Sequence, residues 1–523
     1  MSSAPQGLHD GKSAQHPRFH RQKQVLIGSI LIAGLCSIIY ELLISTTASY
    51  FLGDSVRQFS ITIGVYMAAM GLGSWLSRWV NGNLLMAFIA VELVLGLIGG
   101  LCVPFMYLAY AYTDLVQPVM LLLILTVGTL TGLEVPLLTR LLEHQDILAR
   151  NLSNVLSLDY LGALLATLAF PFLVLPWMGV FQSSLVFGLL NIGLGLLNLW
   201  YFAPQLDLSR KRLLGWSGAM VTSFLVVLLV FSQGLLSHWT NSLYSDRVVH
   251  REQTPYQTIV LTQYKDDIRL FLNGNLQFSS VDEYRYHEAL VHIPLSQHEA
   301  PRRVLLLGAG DGMAARELLK YPEVQSITMV DLDPAVVRLA RTDHRLAELN
   351  QGSLDDPRVT TVAQDAMVFL KESDKKFDII LADLPDPNNV SLARLYSREF
   401  YRLVDMHLAP GGSFTTQATS PYFATKAFWS VHASLAAAGF ERVVPYHVQV
   451  PSFGEWGFVY ASHSQRPLKP EEPSVQTRFL DNTTFAEALT FPRDLKPTSP
   501  VEVSSLDDPT IHDYYMDGWT YWH

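Results

Sequence analysis

Apolar positions fall in two unlike patterns along the chain. Up to about residue 240 they form nearly unbroken runs, at 25–51, 59–80, 84–112, 117–138, 153–178, 180–203 and 213–236. Each run is near or above the ~20 residues that a membrane-spanning helix needs, so the pattern predicts seven spans. From about Tyr244 the runs become short and alternate with polar positions. QTIVLTQY and IRLFLNGNLQFSS, with Asn273-Gly274 as a turn between apolar stretches, predict a small β-hairpin or meander domain. VDEYRYHEALVHIPL then reads as a helix. After it, strand and helix patterns alternate: VLLLGAG, AARELLKY, SITMVDLD, PAVVRLARTD, VTTVAQD, MVFLKES, FDIILADLPD and LYSREFYRLVDMHL. Such alternation predicts a parallel sheet covered on both faces, with ligands bound at the carboxyl ends of its strands.

Charge sharpens the boundary. From Gln24 to Thr240 there are 7 Lys/Arg and 9 Asp/Glu in 217 positions, whereas from Asn241 onward there are 63 charged residues in 283. A soluble helical domain with so few charges would have to hide its helices from water on every face, which excludes that class. A cleaved signal peptide is excluded too, because the first run is too long and leads directly into others. Cys36 and Cys102 both lie within apolar runs and support neither a disulfide framework nor a metal cluster. The net charge of −10 argues against a nucleic-acid partner and suits cationic ones.

Orientation is contradictory in the sequence. Arg18, Arg21 and Lys23 before the first run, and Arg210, Lys211 and Arg212 after the sixth, favour a cytoplasmic N-terminus over the side bearing Arg57, Asp54 and Asp114. Seven crossings would then put the polar half outside, unless the runs flanking Pro176-Trp177-Met178-Gly179 are miscounted. Glu41, Glu92, Glu134 and Asp159 fall at or near span interiors, either as candidate cation ligands or as helix-to-helix hydrogen-bonding groups.

The glycine turn in GAGDGM has Gly308, Gly310 and Gly312, which breaks the G-x-G-x-x-G spacing of a dinucleotide site, and no Gly-Lys-Ser/Thr follows to make a P-loop. Asp311 beside it would repel a pyrophosphate but suits a cationic sulfonium nucleoside. Asp331, 21 residues past Gly310, ends the next strand, where an acid holds ribose hydroxyls. Asp365 ends the one after and is placed to meet an adenine amine, while Asp333, before Pro334, reads equally well as a helix cap. Asp383 and Asp386 in ADLPDP form an acid pair able to bind an amine nucleophile and remove its proton.

These pieces together resemble the spermidine synthase family of aminopropyltransferases over about residues 244–465. The matching segments are YQTI at 256, LNGNLQFSSVDEYRYHEALVHIP from 272, VLLLGAGDG, MVDLDP, QDA, ADLPDP, the FY of SREFY, and GFVYAS at 457. The apolar half resembles the multi-pass region that accompanies some bacterial members. The resemblance implies transfer of the aminopropyl group of decarboxylated S-adenosylmethionine to putrescine, giving spermidine and methylthioadenosine, with no cofactor and no metal. By position, Asp383 matches the general base, and Asp386 with Tyr286 the groups holding the diamine. Gln257, His287 and Asp311 match contacts around the aminopropyl end and sulfonium; Asp331 matches the ribose-binding acid, and Asp365 with Ala366 the adenine contacts.

Three departures stand out: Asn273 where the family commonly has Asp, GAGDG in place of a three-glycine run, and NNVSLARLYS after Asp386-Pro387. The last falls on the acceptor loop, so spermidine, cadaverine or an unusual amine are alternative acceptors. A polyamine transporter or sensor, with the polar half only binding, is the alternative outside enzymology.

The expected fold class is an α-helical multi-pass membrane domain followed by a small β-domain and an α/β Rossmann-like domain of the S-adenosylmethionine-dependent transferase type. The expected divisions are a cytoplasmic segment at 1–23, the multi-pass domain at 24–240, the β-domain at 241–298, the Rossmann-like domain at 299–465 and an extension at 466–523. In the extension, FAEALTFPRDL reads as a helix leading into a strand, and the last residues as either a flexible tail or a cap over the site. Expected partners are putrescine or a related polyamine, the lipid bilayer of the bacterial inner membrane and a second copy through the polar half. The catalytic half is expected on the cytoplasmic side.

Overall fold

The structure, a computed structural model, describes residues 17–52, 55–113, 115–143, 148–241, 244–464 and 466–520. The N-terminal segment before Pro17, the loop acids Asp54 and Asp114, and 521–523 lie outside the described residues. Two compact units divide between Leu243 and Tyr244.

The first unit is helical: α1 (Pro17–Leu52), α2 (Ser55–Leu76), α3 (Leu84–Tyr112), α4 (Val116–Glu143), α5 (Leu148–Ala169), α6 (Leu175–Tyr201), α7 (Leu208–Val230) and α8 (Ser232–Asn241). Among the described residues six stretches, not the expected seven, are long and apolar enough to cross a membrane. The difference lies at the runs expected at 153–178 and 180–203, which form one stretch of 47 residues, Val155–Tyr201. Within it a π-helical segment, Phe170–Val174, precedes a kink at the non-helical Gly179 (φ 64°, ψ 178°), where two helices, each about as long as one span, meet with no polar loop between them.

The helices approach closely through small residues. A Cβ on Gly73 would lie 2.0 Å from the Thr129 carbonyl oxygen, and one on Gly132 2.1 Å from that of Met70, so α2 and α4 meet backbone to backbone. That is how helices pack where lipid removes the hydrophobic drive between them. Of the four interior acids, Glu92 is fully buried and accepts a hydrogen bond from Asn191 Nδ2 at 2.8 Å, joining α3 to α6. This favours the helix-to-helix role for Glu92. Glu134 is also buried, while Glu41 and Asp159 are half-buried.

The second unit begins with β1 (Arg247–Gln253), β2 (Thr258–Tyr264), β3 (Asp267–Leu272) and β4 (Asn275–Ser279), an antiparallel meander in sequence order. Asn273 and Gly274 both have positive φ (51° and 83°), the pair of conformations that a type I′ hairpin turn demands. Next come α9 (Glu283–Ser296), β5 (Arg303–Gly308), α10 (Met313–Leu319), β6 (Ser326–Asp331), α11 (Pro334–Thr342), α12 (His344–Leu349), β7 (Val359–Ala363), α13 (Ala366–Glu372) and β8 (Phe377–Asp383). The chain continues through α14 (Val390–Ala393), α15 (Arg398–Asp405), β9 (Leu408–Gln417), α16 (Thr425–Ala438), β10 (Arg442–Val450), β11 (Gly454–Ser462), α17 (Asn482–Ala488) and α18 (Thr510–Thr520).

The large sheet has the order β10-β11-β9-β8-β5-β6-β7. Five strands are parallel as expected, but β11 runs antiparallel to both β9 and β10. Three residues, 451–453, join those two, too few for the crossover that parallel pairing needs. Leu305 and Leu307 of β5 enter one core and Val304 and Leu306 the other, which is why that strand is apolar without alternation. From β5 the chain steps outward to β6 and β7, then returns to the other side of β5 as β8. The order therefore reverses between β5 and β8, and a crevice opens there at the carboxyl ends.

Two local expectations are corrected, and one open alternative is decided. The helix expected over LYSREFYRLVDMHL starts only after Ser397, whose side chain accepts from Phe400 N at 3.2 Å and caps α15. FAEALTFPRDL gives α17 and a 3₁₀ turn, Arg493–Leu495, with no strand, since Pro492 withholds a ladder donor. The C-terminal residues form α18, with Ile511 fully buried, rather than a flexible tail.

Candidate active site

Gly308 ends β5 directly opposite Asp383, which ends β8. Its φ is +84°, and a Cβ there would lie 2.0 Å from the Asp383 carbonyl oxygen, so only glycine lets the two strand ends meet. Gly310 plays the same part toward β6, since a Cβ on it would lie 2.5 Å from Asp331 Oδ2. The turn thus brings the two acid-bearing strand ends, of β6 and β8, together against the end of β5. Asp311, within it, accepts from Met313 N at 2.9 Å at the start of α10.

Helix α9 fixes the other wall. Tyr286 donates its hydroxyl proton to Asp383 Oδ1 at 2.5 Å. One residue on, His287 Nδ1 bonds Glu283 Oε2 at 2.7 Å. Burial alone would strip the proton from His287, but Glu283, with Asp311 and Asp383 adding, pushes its pKa up to about 9. His287 is therefore a cation at neutral pH. Glu283 in turn takes both Arg316 terminal nitrogens, at 2.9 and 3.0 Å, and Arg316 Nε bonds Glu317 at 2.9 Å. At the ends of the same segment, Asp282 accepts from Ser452 N and Oγ, and Glu288 from the backbone N–H groups of Arg478, Phe479 and Leu480. An edge contact between Phe453 and Tyr286 and a tilted one between Trp456 and Phe453 continue the wall along the β10–β11 hairpin.

Asp383 and Asp386 keep partial access to solvent while protein surrounds most of each carboxylate. Burial lifts Asp383 to about 6, with Asp311 adding and the His287 charge and Tyr286 hydrogen bond pulling it down. Asp386 is likewise lifted to about 6 by burial, against hydrogen bonds from Gln417, Tyr515 and Thr419. Gln417 Nε2 donates to its Oδ1 at 3.2 Å and Thr419 Oγ1 to its Oδ2 at 3.3 Å. Asp331, raised to about 6 mainly by burial, accepts from Asp333 N at 2.9 Å.

Tyr286, His287, Asp311, Asp331 and Asp383 thus share one crevice, with Asp386 beside them. Gln257 stands near it but spends its amide on Asp333 Oδ2, at 3.0 Å. Asp333 caps α11 through Ala335 N and accepts from Thr254 as well, so its capping role is the structural one. Asp365 caps α13 through Val368 N at 3.0 Å and pairs with Arg394, and Ala366 is buried at the first position of that helix. Their place is one strand farther out, at the end of β7.

Several members of the site carry no signal strong enough to single them out in the sequence. Gln417 ends β9 and Thr419 lies two residues beyond it, in SFTTQATS, and a polar run at a strand's carboxyl end was the available clue. Glu283 and Arg316, 33 residues apart, offered none. Among the described residues, no group of three or more His, Cys, Asp or Glu side chains could hold a metal ion. The acids and aromatics set several carboxylates beside the glycine turn, an arrangement chemically suited to a cationic organic group.

Residues 283–472 match the family model described as the spermine/spermidine synthase domain. Polyamine aminopropyltransferase 1 of Ralstonia nicotianae is 41% identical over 517 residues, covering 98% of this chain and 98% of that one. The chain belongs to the spermidine synthase family of polyamine aminopropyltransferases. Similar matches come from the polyamine aminopropyltransferase of Leptospira interrogans, 41% identical over 94% of this chain and 98% of that one, and that of Mycobacterium tuberculosis, 39% over 95% and 97%. A crystal structure of spermidine synthase from Thermotoga maritima aligns over 47% of this chain and 85% of its own, at 25% identity and a TM-score of 0.43. The polyamine aminopropyltransferase assignment makes the chain an enzyme, a transferase whose family uses decarboxylated S-adenosylmethionine as co-substrate. Nothing in these names favours a transporter or sensor.

Proposed function

We propose that the protein transfers the aminopropyl group of decarboxylated S-adenosylmethionine to putrescine, with Asp383 as general base. The observation that carries this reading is the 2.5 Å bond from Tyr286 to Asp383 at the point where the sheet order reverses. The acceptor arrives as an ammonium with a pKa near 10, which is not a nucleophile. Asp383 takes one proton from it, and the freed nitrogen pair attacks the methylene carbon bound to sulfur. A C–N bond forms, the C–S bond breaks, and its electrons neutralise the sulfonium, releasing methylthioadenosine. Tyr286 orients the carboxylate, and its own proton stays in place because burial and the neighbouring Asp383 raise its pKa well above the ordinary value. Asp331 is assigned to the donor ribose, Gln257, His287 and Asp311 to its aminopropyl and sulfonium end, Asp365 and Ala366 to adenine, and Asp386 to the far ammonium of the diamine.

A base at about 6 gives the pH profile a definite shape. With the donor saturating, kcat/KM for the amine is expected to rise steeply below pH ~6, between about ten- and a hundredfold per unit because Asp386, also lifted to about 6, must be ionised to hold the ammonium, and to level off above it. The diamine stays protonated across that window and contributes no limb of its own. A rise that continues undiminished to pH ~9 would instead mean that free amine is the species bound and that Asp383 takes no proton.

We also propose that the helical unit sits in a bilayer as an anchor. Its outward side chains are apolar and aromatic: Trp177 is 81% exposed, Trp216 77%, Trp200 74% and Phe172 73%. Trp200 lies at the end of α6, Trp216 in the first turns of α7, and Trp75 and Trp79 near the end of α2, as an interfacial aromatic belt requires. The full-length protein is expected to stay in the membrane pellet after an alkaline carbonate wash, and release into the supernatant would refute the anchor.

A further inference from the structure

The residues matching the family domain end at 472, yet the carboxylate of Asp386 is reached by a side chain 43 residues beyond them. Tyr515, on α18, sets its hydroxyl beside the same carboxylate that Gln417 and Thr419 hold, close enough for the two groups to interact. The contact is no accident of a loose tail, because the whole path to it is tied down. Ser430 Oγ donates to Glu502 O at 2.8 Å, and Ser504 N to Ser434 Oγ at 2.9 Å. Arg398 N donates to Ser504 O at 2.9 Å, and Leu506 N to Glu399 Oε2 at 3.0 Å. On α18 itself, His512 Nδ1 donates to the carbonyl of Pro387, the residue after Asp386, at 3.1 Å. Gly518 lies so close to the 423–424 backbone that a Cβ would come within 2.8 Å of Phe423 O, and Trp519 stacks on Phe423 at 5.0 Å. The helix therefore has a fixed position against the acid loop.

We propose that α18 forms the end wall of the acceptor pocket and that Tyr515 is a specificity-determining residue. Its hydroxyl aims Asp386 at the distal ammonium of a diamine, and its ring closes the space behind that ammonium. This rests on the assignment of Asp386 to the acceptor's far end. The substrate class follows from the placement: a short diamine ends at Asp386, whereas a triamine must continue into the volume that Tyr515 and α18 occupy. The donor, held at the β5 and β6 ends, is untouched by either group.

The test uses the full-length protein in detergent, with putrescine, cadaverine and spermidine as acceptors. Tyr515→Phe keeps the ring and removes only the hydroxyl. It is expected to raise the KM for putrescine about tenfold, as loss of one hydrogen bond to a charged group does, with kcat within about twofold and an unchanged donor KM. Tyr515→Ala also removes the ring and should shift the spermidine-to-putrescine ratio of kcat/KM upward by about tenfold or more. Wild-type amine KM values in Tyr515→Phe, or equal losses for donor and for every amine, would overturn the proposal. Asp386→Asn, run alongside, separates the two levels. A raised amine KM in Asp386→Asn with none in Tyr515→Phe overturns the role of α18 alone, whereas wild-type values in both overturn the acceptor assignment of Asp386 itself.

Discussion

Asp383→Asn is expected to lower kcat by about 10² to 10⁴-fold, the usual loss when a positioned general base is removed. The amide is the same size and still accepts from Tyr286, so the pocket should persist. Donor affinity, measured by calorimetry with decarboxylated S-adenosylmethionine, should change by less than about threefold, because the lost interaction belongs to the transition state. That split between rate and binding is the signature of a base. Near wild-type kcat would show that bulk water or another group takes the proton, and a parallel collapse of donor binding would make Asp383 a structural acid.

The second large effect is on stability. Arg316→Leu removes the guanidinium that serves Glu283 and Glu317 together, both of them 5% exposed or less. Glu283 keeps His287, and Glu317 keeps His292 at 2.8 Å and Lys320 at 2.5 Å, but each is left undercompensated in a dry setting. Removing one member of a buried ion network costs about 3–5 kcal/mol, against 0–1 for an exposed pair. Denaturation of the detergent-solubilised protein, followed by near-UV circular dichroism, should show a loss in that higher range, and a loss under about 1 kcal/mol would contradict the network's importance. The same cluster predicts a pH sense. His287 has a folded pKa near 9 against an ordinary 6.5, so its contribution is fully present below about 6.5 and is lost as pH rises through about 9.

What the sequence conveys here follows the range of the interactions concerned. The glycine turn, the strand-end acids and the Asn273-Gly274 hairpin are each specified by neighbours within a few residues, and they were legible for that reason. The sulfonium argument from Asp311 depended only on charge sign. By contrast, the binding of Asp365 by Arg394 or of Gln257 by Asp333 spans 29 and 76 residues, and Tyr515 reaches Asp386 across still more chain. Side-chain pairing at that separation leaves no periodic mark. The break between the fifth and sixth runs is marked differently: hydropathy reads composition, and at Gly179 two helices meet across a backbone kink with no polar loop to separate them. The tail was ambiguous because IHDYYMDGWT mixes acids and aromatics in a pattern that packs well only once Phe423 and α16 are in place.

Helix α9 shows how much one short segment can carry. Asp282, Glu283, Tyr286, His287 and Glu288 each have a separate duty, from tying down the 478–480 backbone to orienting the Asp383 carboxylate. The placement of Tyr286 against Asp383 depends on that whole set, which is why the stability and the activity predictions converge on the same helix.

The most direct test of the central claim is mass spectrometry of the full-length protein incubated with decarboxylated S-adenosylmethionine and a panel of amines. The account predicts methylthioadenosine and aminopropylated product in equal amounts, with putrescine the preferred acceptor. Donor bound in the crevice, yet no methylthioadenosine formed with any amine, would contradict it.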